Sequence, residues 1–183
     1  MAHRRWGRKR PAPGKGALAG AMAGLAGAWA MNEFQTLLSK ATQKQQDNGA
    51  RATVKQPEPT SSNQEGDATQ RIAARIVHAA LGRNLTRQQK NVAGPIVHYA
   101  VGCASGALYG TATELSPRLS KGFGLPLGSV LWLAADEIGV PALGLSRPAL
   151  DYPLSSHLSA LAAHTVYGFT TELARRVLRT ALS

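Results

Sequence analysis

Five acids and three histidines lie inside or at the ends of apolar stretches in this 183-residue chain. Charged groups are expensive in apolar surroundings, so they tend to face one another inside a helix bundle and often transfer protons or ions. The sequence therefore predicts a polar ladder within the bundle. Its members are His98, Glu114, Asp136, Glu137, His164 and Glu172. The alternative is that these residues only make hydrogen bonds and ion pairs that hold helices together.

A short internal repeat relates two of these carboxylates. The sequence YGTATEL recurs as YGFTTEL, with an arginine at the same offset after each glutamate, so the repeat covers residues 109–118 and 167–176. One apolar stretch lies between the copies, so they run in the same direction. We therefore expect Glu114 and Glu172 to lie at equal depth.

Two interpretations of this glutamate pair are open. The two carboxylates could share one low-dielectric site, where one of them would hold its proton. Alternatively, Glu114 and Glu172 form separate boundary ion pairs with Arg118 and Arg176, four residues further on. Pro117 weakens the second interpretation for the first copy, because proline ends a helix.

Alignment of the repeats also predicts the depth of the other ladder residues. His98 falls near the outer end of its stretch, and His164 falls in the middle of the last one. Asp136 and Glu137, on an antiparallel stretch, are expected near mid-depth beside His164. Adjacent acids cannot both face the same partner, so this pair is the hardest to explain by packing alone.

The residue types exclude several kinds of catalytic site. Cys103 is the single cysteine, which excludes an intrachain disulfide and a multi-cysteine zinc site, and there is no His-Glu-x-x-His pattern. The sequence also lacks a phosphate-binding loop, Gly-x-Ser-x-Gly and a dinucleotide fingerprint. We therefore expect no catalytic residue, no metal site and no cofactor.

The elements that position these residues are long and weakly apolar. A basic arm, residues 1–15, leads directly into an uncharged run, which is typical of membrane insertion rather than nucleic-acid binding. Three more stretches, 92–115, 122–145 and 154–173, each approach the ~20 residues that a helix needs to cross a bilayer. Gly and Ala replace much of the Leu and Ile, and the mean hydropathy is −0.15. We predict an all-α polytopic membrane protein with about four transmembrane helices, the first at 16–38, and no nucleic-acid partner.

A polar segment, residues 39–91, separates the first stretch from the three-helix region 92–183. Its centre is rich in polar residues and is predicted to be a long flexible loop. Near its end, Ile72 and Ile76 recur at helical spacing among arginines, which predicts a short amphipathic helix near 68–82.

Two alternatives to four spans are open. The first stretch could be a cleaved secretion signal, because Ala28 and Ala30 resemble a cleavage site. The stretches could also form a soluble bundle, but soluble helices usually carry a polar face, and residues 102–113 have almost none. Four spans remain the preferred interpretation.

Small residues recur every fourth position on two stretches, which lets helices approach backbone to backbone. These predicted packing residues are Gly16, Gly20 and Gly24 on the first stretch, Gly102, Gly106 and Gly110 on the second, and Gly168 in the second copy of the repeat. Packing within one chain is favoured over a homo-oligomer, although both use the same contacts.

Basic residues predict the orientation. The arm and the three arginines Arg175, Arg176 and Arg179 lie at the two chain ends, which share one side in a four-span protein. The positive-inside rule then places both termini in the cytoplasm.

The region 92–179 resembles the YagU-like family of uncharacterised bacterial inner-membrane proteins. The resemblance is carried by VHYAVGCASGALYGTATELSPRL, by GLSRP, and by the last stretch from His164 through Glu172. It implies a multi-pass protein of the bacterial cytoplasmic (inner) membrane with no established activity. Asp136 and Glu137 depart from the pattern that the resemblance leads us to expect.

The sequence thus predicts a non-enzymatic integral membrane protein that acts through helix packing or a membrane partner. Its expected partners are the lipid bilayer and either a second copy of the chain or another membrane protein. The alternative is a proton- or ion-conducting protein that uses the ladder. A membrane-embedded hydrolase is the weakest hypothesis.

Overall fold

The computed structural model describes residues 11–49 and 63–182. Within these residues the regular secondary structure is all helical with no strand, which confirms the predicted all-α class. The helices are α1 (Pro13–Gly49), α2 (Asn63–Leu81), α3 (Arg87–Leu115), α4 (Leu125–Trp132), α5 (Val140–Ala142) and α6 (Leu154–Ala181). The first ten residues of the basic arm and the centre of the predicted loop lie outside the described residues.

Within residues 11–49 and 63–182, no helix is both long and apolar enough to cross a membrane. The sequence predicted four such helices, and the described helices do not meet that prediction. The physical reason is composition. Glycine, alanine and polar residues occupy much of α1, α3 and α6, and these residues lower the hydropathy of helices that are otherwise long.

The polar segment contains more helix than the sequence predicted. Helix α1 continues to Gly49, beyond the expected end of the first stretch at residue 38. The amphipathic helix predicted near 68–82 corresponds to α2, which begins at Asn63. Helix α2 packs against α3, with Ala73 buried in the contact and Ile76 exposed.

Helix α3 has well-defined ends. The Thr86 side chain accepts a hydrogen bond from the Gln89 backbone N–H, and the Gln89 side chain accepts one from the Thr86 N–H, which is a capping box. At the other end the helix stops at Leu115, and Pro117 begins a 3-10 helix, Pro117–Ser120. Proline has no N–H and clashes with the preceding turn, which favours the end of α3 here, although the same helix contains Pro95 in its interior.

The third predicted stretch forms a helical run that changes type. Gly124 has a φ of +80°, which favours glycine, and α4 begins directly after it. The run continues as a π-helix, Leu133–Gly139, and ends with the single turn α5. It is therefore shorter than the predicted 122–145 and contains a π-helical segment that the sequence did not predict.

The predicted packing glycines bring α1 and α3 into backbone contact. Gly16 lies opposite Gly110, and Gly20 lies opposite Gly106. A Cβ atom placed on either member of these pairs would overlap the carbonyl oxygen of its partner. In the remaining pair, a Cβ on Gly24 would overlap the Gly102 carbonyl oxygen, whereas a Cβ on Gly102 would lie 2.8 Å from the Ala28 Cβ. The two helices are therefore antiparallel and pack at a distance that only glycine permits.

A second backbone contact joins α4 to α6. Gly168 lies against Gly124, and a Cβ on Gly168 would also lie 2.7 Å from the Gly128 nitrogen. Gly128 in turn meets the carbonyl oxygen of His164. Helix α6 also packs against α1, where Gly27 lies next to Tyr167 and Thr171. Helix α6 thus holds α4 on one side and α1 on the other.

Candidate functional site

The π-helix places two adjacent carboxylates against two histidines of α6. An Oε1 atom of Glu137 lies 2.6 Å from Nδ1 of His157, which is a hydrogen bond. Oδ2 of Asp136 lies 3.5 Å from Nδ1 of His164. Each acid thus faces its own histidine, so the two neighbouring acids can both face the bundle because they have different partners. π-Helical turns inside α-helices occur frequently at functional sites.

One oxygen of the Asp136 carboxylate lacks a hydrogen bond. Oδ2 of Asp136 is buried and has no hydrogen-bond partner within the described residues. Nε1 of Trp132, one turn earlier, is also buried and also has no hydrogen-bond partner within the described residues. His164 is 8% exposed, and its Nδ1 lies 3.0 Å from the carbonyl oxygen of Ala160. Buried polar atoms without partners are rare and call for a structural or functional explanation.

His98 lies on α3 and contacts α1. Its Nε2 lies 3.3 Å from the carbonyl oxygen of Ala28, and its ring meets the Tyr99 ring edge to face. This contact joins two helices, as expected if His98 only helps to hold the helices together. No described hydrogen bond or ion pair joins His98 to another member of the ladder.

Glu114 forms an ion pair with a residue that the sequence analysis did not assign to it. Arg179 donates from Nε to Oε1 at 2.5 Å and from Nη2 to Oε2 at 3.1 Å. Oε2 also accepts the backbone N–H of Ala12 at 3.2 Å. The expected partner, Arg118, lies in the 3-10 helix after Pro117 and therefore does not occupy the next turn of α3.

The same ion pair fixes the charge of Arg179. The hydrogen-bonded Glu114 carboxylate raises the pKa of the Arg179 guanidinium above its ordinary value. An arginine is always charged in proteins, so the interaction ties the end of α6 to the end of α3 for as long as the Glu114 carboxylate is ionised.

Glu172 is enclosed by two arginines. It is 1% exposed, and it accepts hydrogen bonds from Nε of Arg175 at 2.8 Å and from Nε of Arg176 at 2.6 Å. Arg176 also donates to the carbonyl oxygen of Ser120, and its guanidinium lies over the Phe123 ring. Arg176 thus contacts the glutamate that the sequence assigned to it.

The ladder is therefore not one connected chain. Two dyads, Asp136 with His164 and Glu137 with His157, lie between the π-helix and α6. Glu114 and Glu172 hydrogen-bond to different arginines, and no described hydrogen bond joins their carboxylates. These contacts do not support the interpretation in which the two glutamates share one site.

Sequence reasoning missed the role of Arg175 and Arg179, which it used only to orient the chain. It also missed Tyr167, whose hydroxyl donates to the carbonyl oxygen of Gly102 at 2.7 Å and lies 2.8 Å from the Ser105 hydroxyl. The repeat contained a signal, because Tyr109 and Tyr167 occupy its equivalent positions. Both tyrosines are buried in the structure.

Metal binding receives no support from the geometry of the described residues. They contain no group of three or more His, Cys, Asp or Glu side chains that could hold a metal ion. The two dyads contribute one histidine and one carboxylate each. Cys103 is half-buried on α3 beside the glycine stripe.

These features define an all-helical bundle that packs through glycines and carries paired polar side chains in its interior. The chain belongs to the family described as "Protein of unknown function (DUF1440)", which matches residues 67–173. The resemblance to an uncharacterised family is thereby confirmed, whereas the YagU-like name and the bacterial membrane remain predictions. No curated protein and no solved structure matches the chain.

Proposed function

We propose that the chain is a small integral membrane protein whose bundle of α1, α3, the α4–α5 run and α6 is surrounded by lipid. The observation that carries this proposal is the distribution of large apolar side chains over the bundle. In a water-soluble bundle the large apolar residues fill the core, and the polar ones cover the surface. In this chain many large apolar side chains lie on the surface, and several polar or charged side chains are buried.

The bundle interior supports this proposal. The largest fully buried side chains are Glu172 and Thr171. The buried apolar residues are mainly alanines, together with Met31, Tyr109, Leu145 and Tyr167. Glycine, alanine and hydrogen-bonded polar residues are the interior that membrane helices need, because lipid supplies no hydrophobic force to drive larger side chains inward.

The outward faces carry the complementary evidence. On α3, Leu108 is 73% exposed, and Val101 and Leu115, each seven residues away, are exposed on the same face. The other helices have similar exposed positions, which include Leu18, Met22, Leu25 and Trp29 on α1 and Phe169, Leu173 and Val177 on α6. Contiguous apolar surfaces of this kind mark contact with a membrane or with another protein.

This distribution also explains the modest hydropathy of each helix. A hydropathy average counts both faces of a helix, whereas lipid contacts only the outward face. The glycines of the α1–α3 contact face each other, are buried and contribute nothing to the outward surface; they are Gly16, Gly20, Gly24, Gly102, Gly106 and Gly110. An average over the whole helix therefore understates how apolar the surface of the bundle is.

The proposed membrane is the bacterial cytoplasmic membrane, with both chain ends on the cytoplasmic side. Contacts between the start of α1 and the end of α6 support a common side. Lys15 donates from Nζ to the carbonyl oxygen of Leu182 at 2.6 Å, and Ala12 bonds to Glu114. We propose a non-enzymatic role through packing and a membrane partner, because the described polar residues are held in pairs rather than in a catalytic constellation.

Alkaline extraction and topology reporters test this proposal on the full chain. We expect the chain to stay in the membrane pellet at high pH and to be released by detergent. A reporter after Ser183 should read cytoplasmic, and one inserted between Thr60 and Ser61 should read extracytoplasmic. Release of the chain by alkali would overturn the membrane location, and two cytoplasmic readings would overturn the topology.

Proton transfer is a second candidate function, favoured by the buried Asp136 oxygen that faces His164 without a hydrogen bond. A titratable group in this position can exchange protons with its neighbour. In liposomes that contain the full chain, we expect Asp136→Asn to abolish a measured proton flux and the exposed control Asp151→Asn to preserve it. An absence of flux from the unmodified protein would reject this candidate.

A further inference from the structure

A cavity of about 280 Å³ lies between α2, the start of α3 and the chain after α5. It is lined by Gln70, Arg71, Ala74, Arg75, Lys90 and Leu145. Three of these six residues carry a positive charge, and none carries a negative charge. A concave site with this charge balance selects for an anion.

The two arginines of the cavity are held in place by backbone carbonyls. Arg71 donates from Nη1 to Leu145 at 2.6 Å, and Arg75 donates from Nη1 to Leu143 at 2.5 Å. These carbonyls follow the last turn of the α4–α5 run, where helix geometry leaves acceptors without intrahelical partners. A guanidinium has five N–H donors in a rigid plane, so these contacts orient both groups before a ligand arrives.

Lys90 completes the positive lining from another element. It is half-buried and lies in the first turn of α3, where backbone N–H groups add positive potential. The amide of Gln70, hydrogen-bonded to Asn91, supplies a neutral polar group beside it. The arginine forks and a compact ammonium together suit the tetrahedral oxygens of phosphate better than they suit a planar carboxylate alone.

Exposed apolar residues lie within two positions, in the sequence, of three residues that line the cavity. Ile76 on α2, Val92 on α3 and Leu143 after α5 each adjoin a lining element and are exposed. A phosphate headgroup in the cavity would thus leave apolar surface beside it for acyl chains. Basic pockets between membrane helices on the cytoplasmic side are known to hold anionic headgroups. Under the proposed topology this cavity lies on the extracytoplasmic side, so its ligand would be a headgroup of that leaflet.

We propose that this cavity binds a phosphate group, presented either by the headgroup of an anionic phospholipid or as a free phosphate anion. The headgroup source depends on the proposed membrane location, whereas binding of free phosphate does not. The volume is just below the range of typical small-molecule sites, which fits a headgroup better than a larger metabolite.

Binding to the purified full chain in mild neutral detergent tests the proposal. The probes are phosphatidylglycerol, phosphatidylcholine and inorganic phosphate, each titrated separately. Lys90→Gln is the preferred variant, because the arginines also hold the backbone and their loss could unfold the site. Arg87→Gln is the matched control, since it removes the same charge from an exposed position three residues away.

We expect phosphatidylglycerol to bind more tightly than phosphatidylcholine and Lys90→Gln to weaken binding about tenfold, as for the loss of one charge-assisted hydrogen bond. Arg87→Gln should change binding less than about twofold, because an exposed charge is largely screened. Saturable binding of inorganic phosphate with the same Lys90 dependence would assign the site to the free anion.

Two results would overturn the proposal. One is that none of the three probes binds saturably. The other is that Lys90→Gln and Arg87→Gln weaken binding equally, since the effect would then come from net charge and not from the cavity. A chain released by alkali that still binds phosphate through Lys90 would reject the membrane location and leave the cavity site intact.

Discussion

Arg179 and Glu114 join the last turn of α6 to the end of α3 through two parallel hydrogen bonds, of 2.5 and 3.1 Å. The residues are 65 positions apart in the sequence. The same carboxylate accepts the Ala12 N–H just before α1, so three helices meet at Glu114. Bidentate arginine–carboxylate pairs combine charge with fixed geometry, and this pair sets how the three helix ends align.

Glu172 should matter more to stability than Glu114. Glu172→Gln leaves two arginines without their buried carboxylate, and breaking a buried pair costs about 3–5 kcal/mol. Glu114→Gln should cost less, about 1–3 kcal/mol, because this pair is partly exposed. Unfolding of the full chain in detergent, followed by circular dichroism, measures both.

The double variant decides whether the two glutamates interact. No arginine in the described contacts hydrogen-bonds to both, so the two losses should add to within about 0.5 kcal/mol. Arg118→Gln is the control and should change little, because Glu114 bonds to Arg179 and not to Arg118. A double variant that is clearly more stable than the sum would restore a shared site.

Gly106 should not tolerate even alanine. Its Cβ would overlap the Gly20 carbonyl oxygen and lie 2.7 Å from the Cα of Gly24, and both neighbours are backbone atoms that cannot rotate away. Gly106→Ala should cost about 1–3 kcal/mol, as for other overpacked sites, and Gly106→Leu should prevent folding. Thermal unfolding in detergent measures the loss.

Gly14→Ala is the matched control for this helix contact. Nothing lies within 4 Å of a Cβ at Gly14, so alanine there should be neutral or slightly stabilising. Equal melting temperatures for Gly106→Ala and Gly14→Ala would show that α1 and α3 do not pack through these glycines.

The glycine contacts could be predicted from sequence more fully than any other part of the structure. Spacing of four on two stretches identifies the faces, and antiparallel neighbours then pair Gly16 with Gly110 and Gly24 with Gly102. The partner of Glu114 could not be predicted in this way. Pro117 removes the next turn of α3, and the replacement partner comes from the other end of the chain.

The π-helix also lies beyond what hydrophobic periodicity can indicate. A change from α to π geometry between Leu133 and Gly139 alters which residues share a face, but it leaves composition unchanged. The sequence therefore placed Asp136 and Glu137 beside His164 without separating their partners. The structure assigns His157 to Glu137, because the π-helix and α6 bring them within 2.6 Å.

The two adjacent acids should respond in opposite directions to loss of charge. Glu137→Gln removes the charge from a 2.6 Å hydrogen bond to His157 and should cost about 1.5–3 kcal/mol. Asp136→Asn replaces a carboxylate whose buried Oδ2 lacks a hydrogen bond, so it should be neutral or stabilising. Each variant controls for the other in the same unfolding assay, and equal losses would contradict the separate dyads.

Leu108 offers the sharpest test of what surrounds the bundle. It lies on the outward face of α3 and is 73% exposed, so Leu108→Lys disturbs no internal contact that the structure describes. If water surrounds the bundle, this change is an ordinary surface substitution worth within about 0.5 kcal/mol. If lipid surrounds it, a lysine near the middle of the span should oppose insertion by about 3 kcal/mol.

Leu150→Lys is the control, because Leu150 is 97% exposed but lies in the 3-10 helix Ala149–Asp151, outside the proposed spans. We expect the alkali-resistant membrane fraction to fall markedly for Leu108→Lys and to stay unchanged for Leu150→Lys, and an unchanged fraction for both would remove the lipid-facing role of α3.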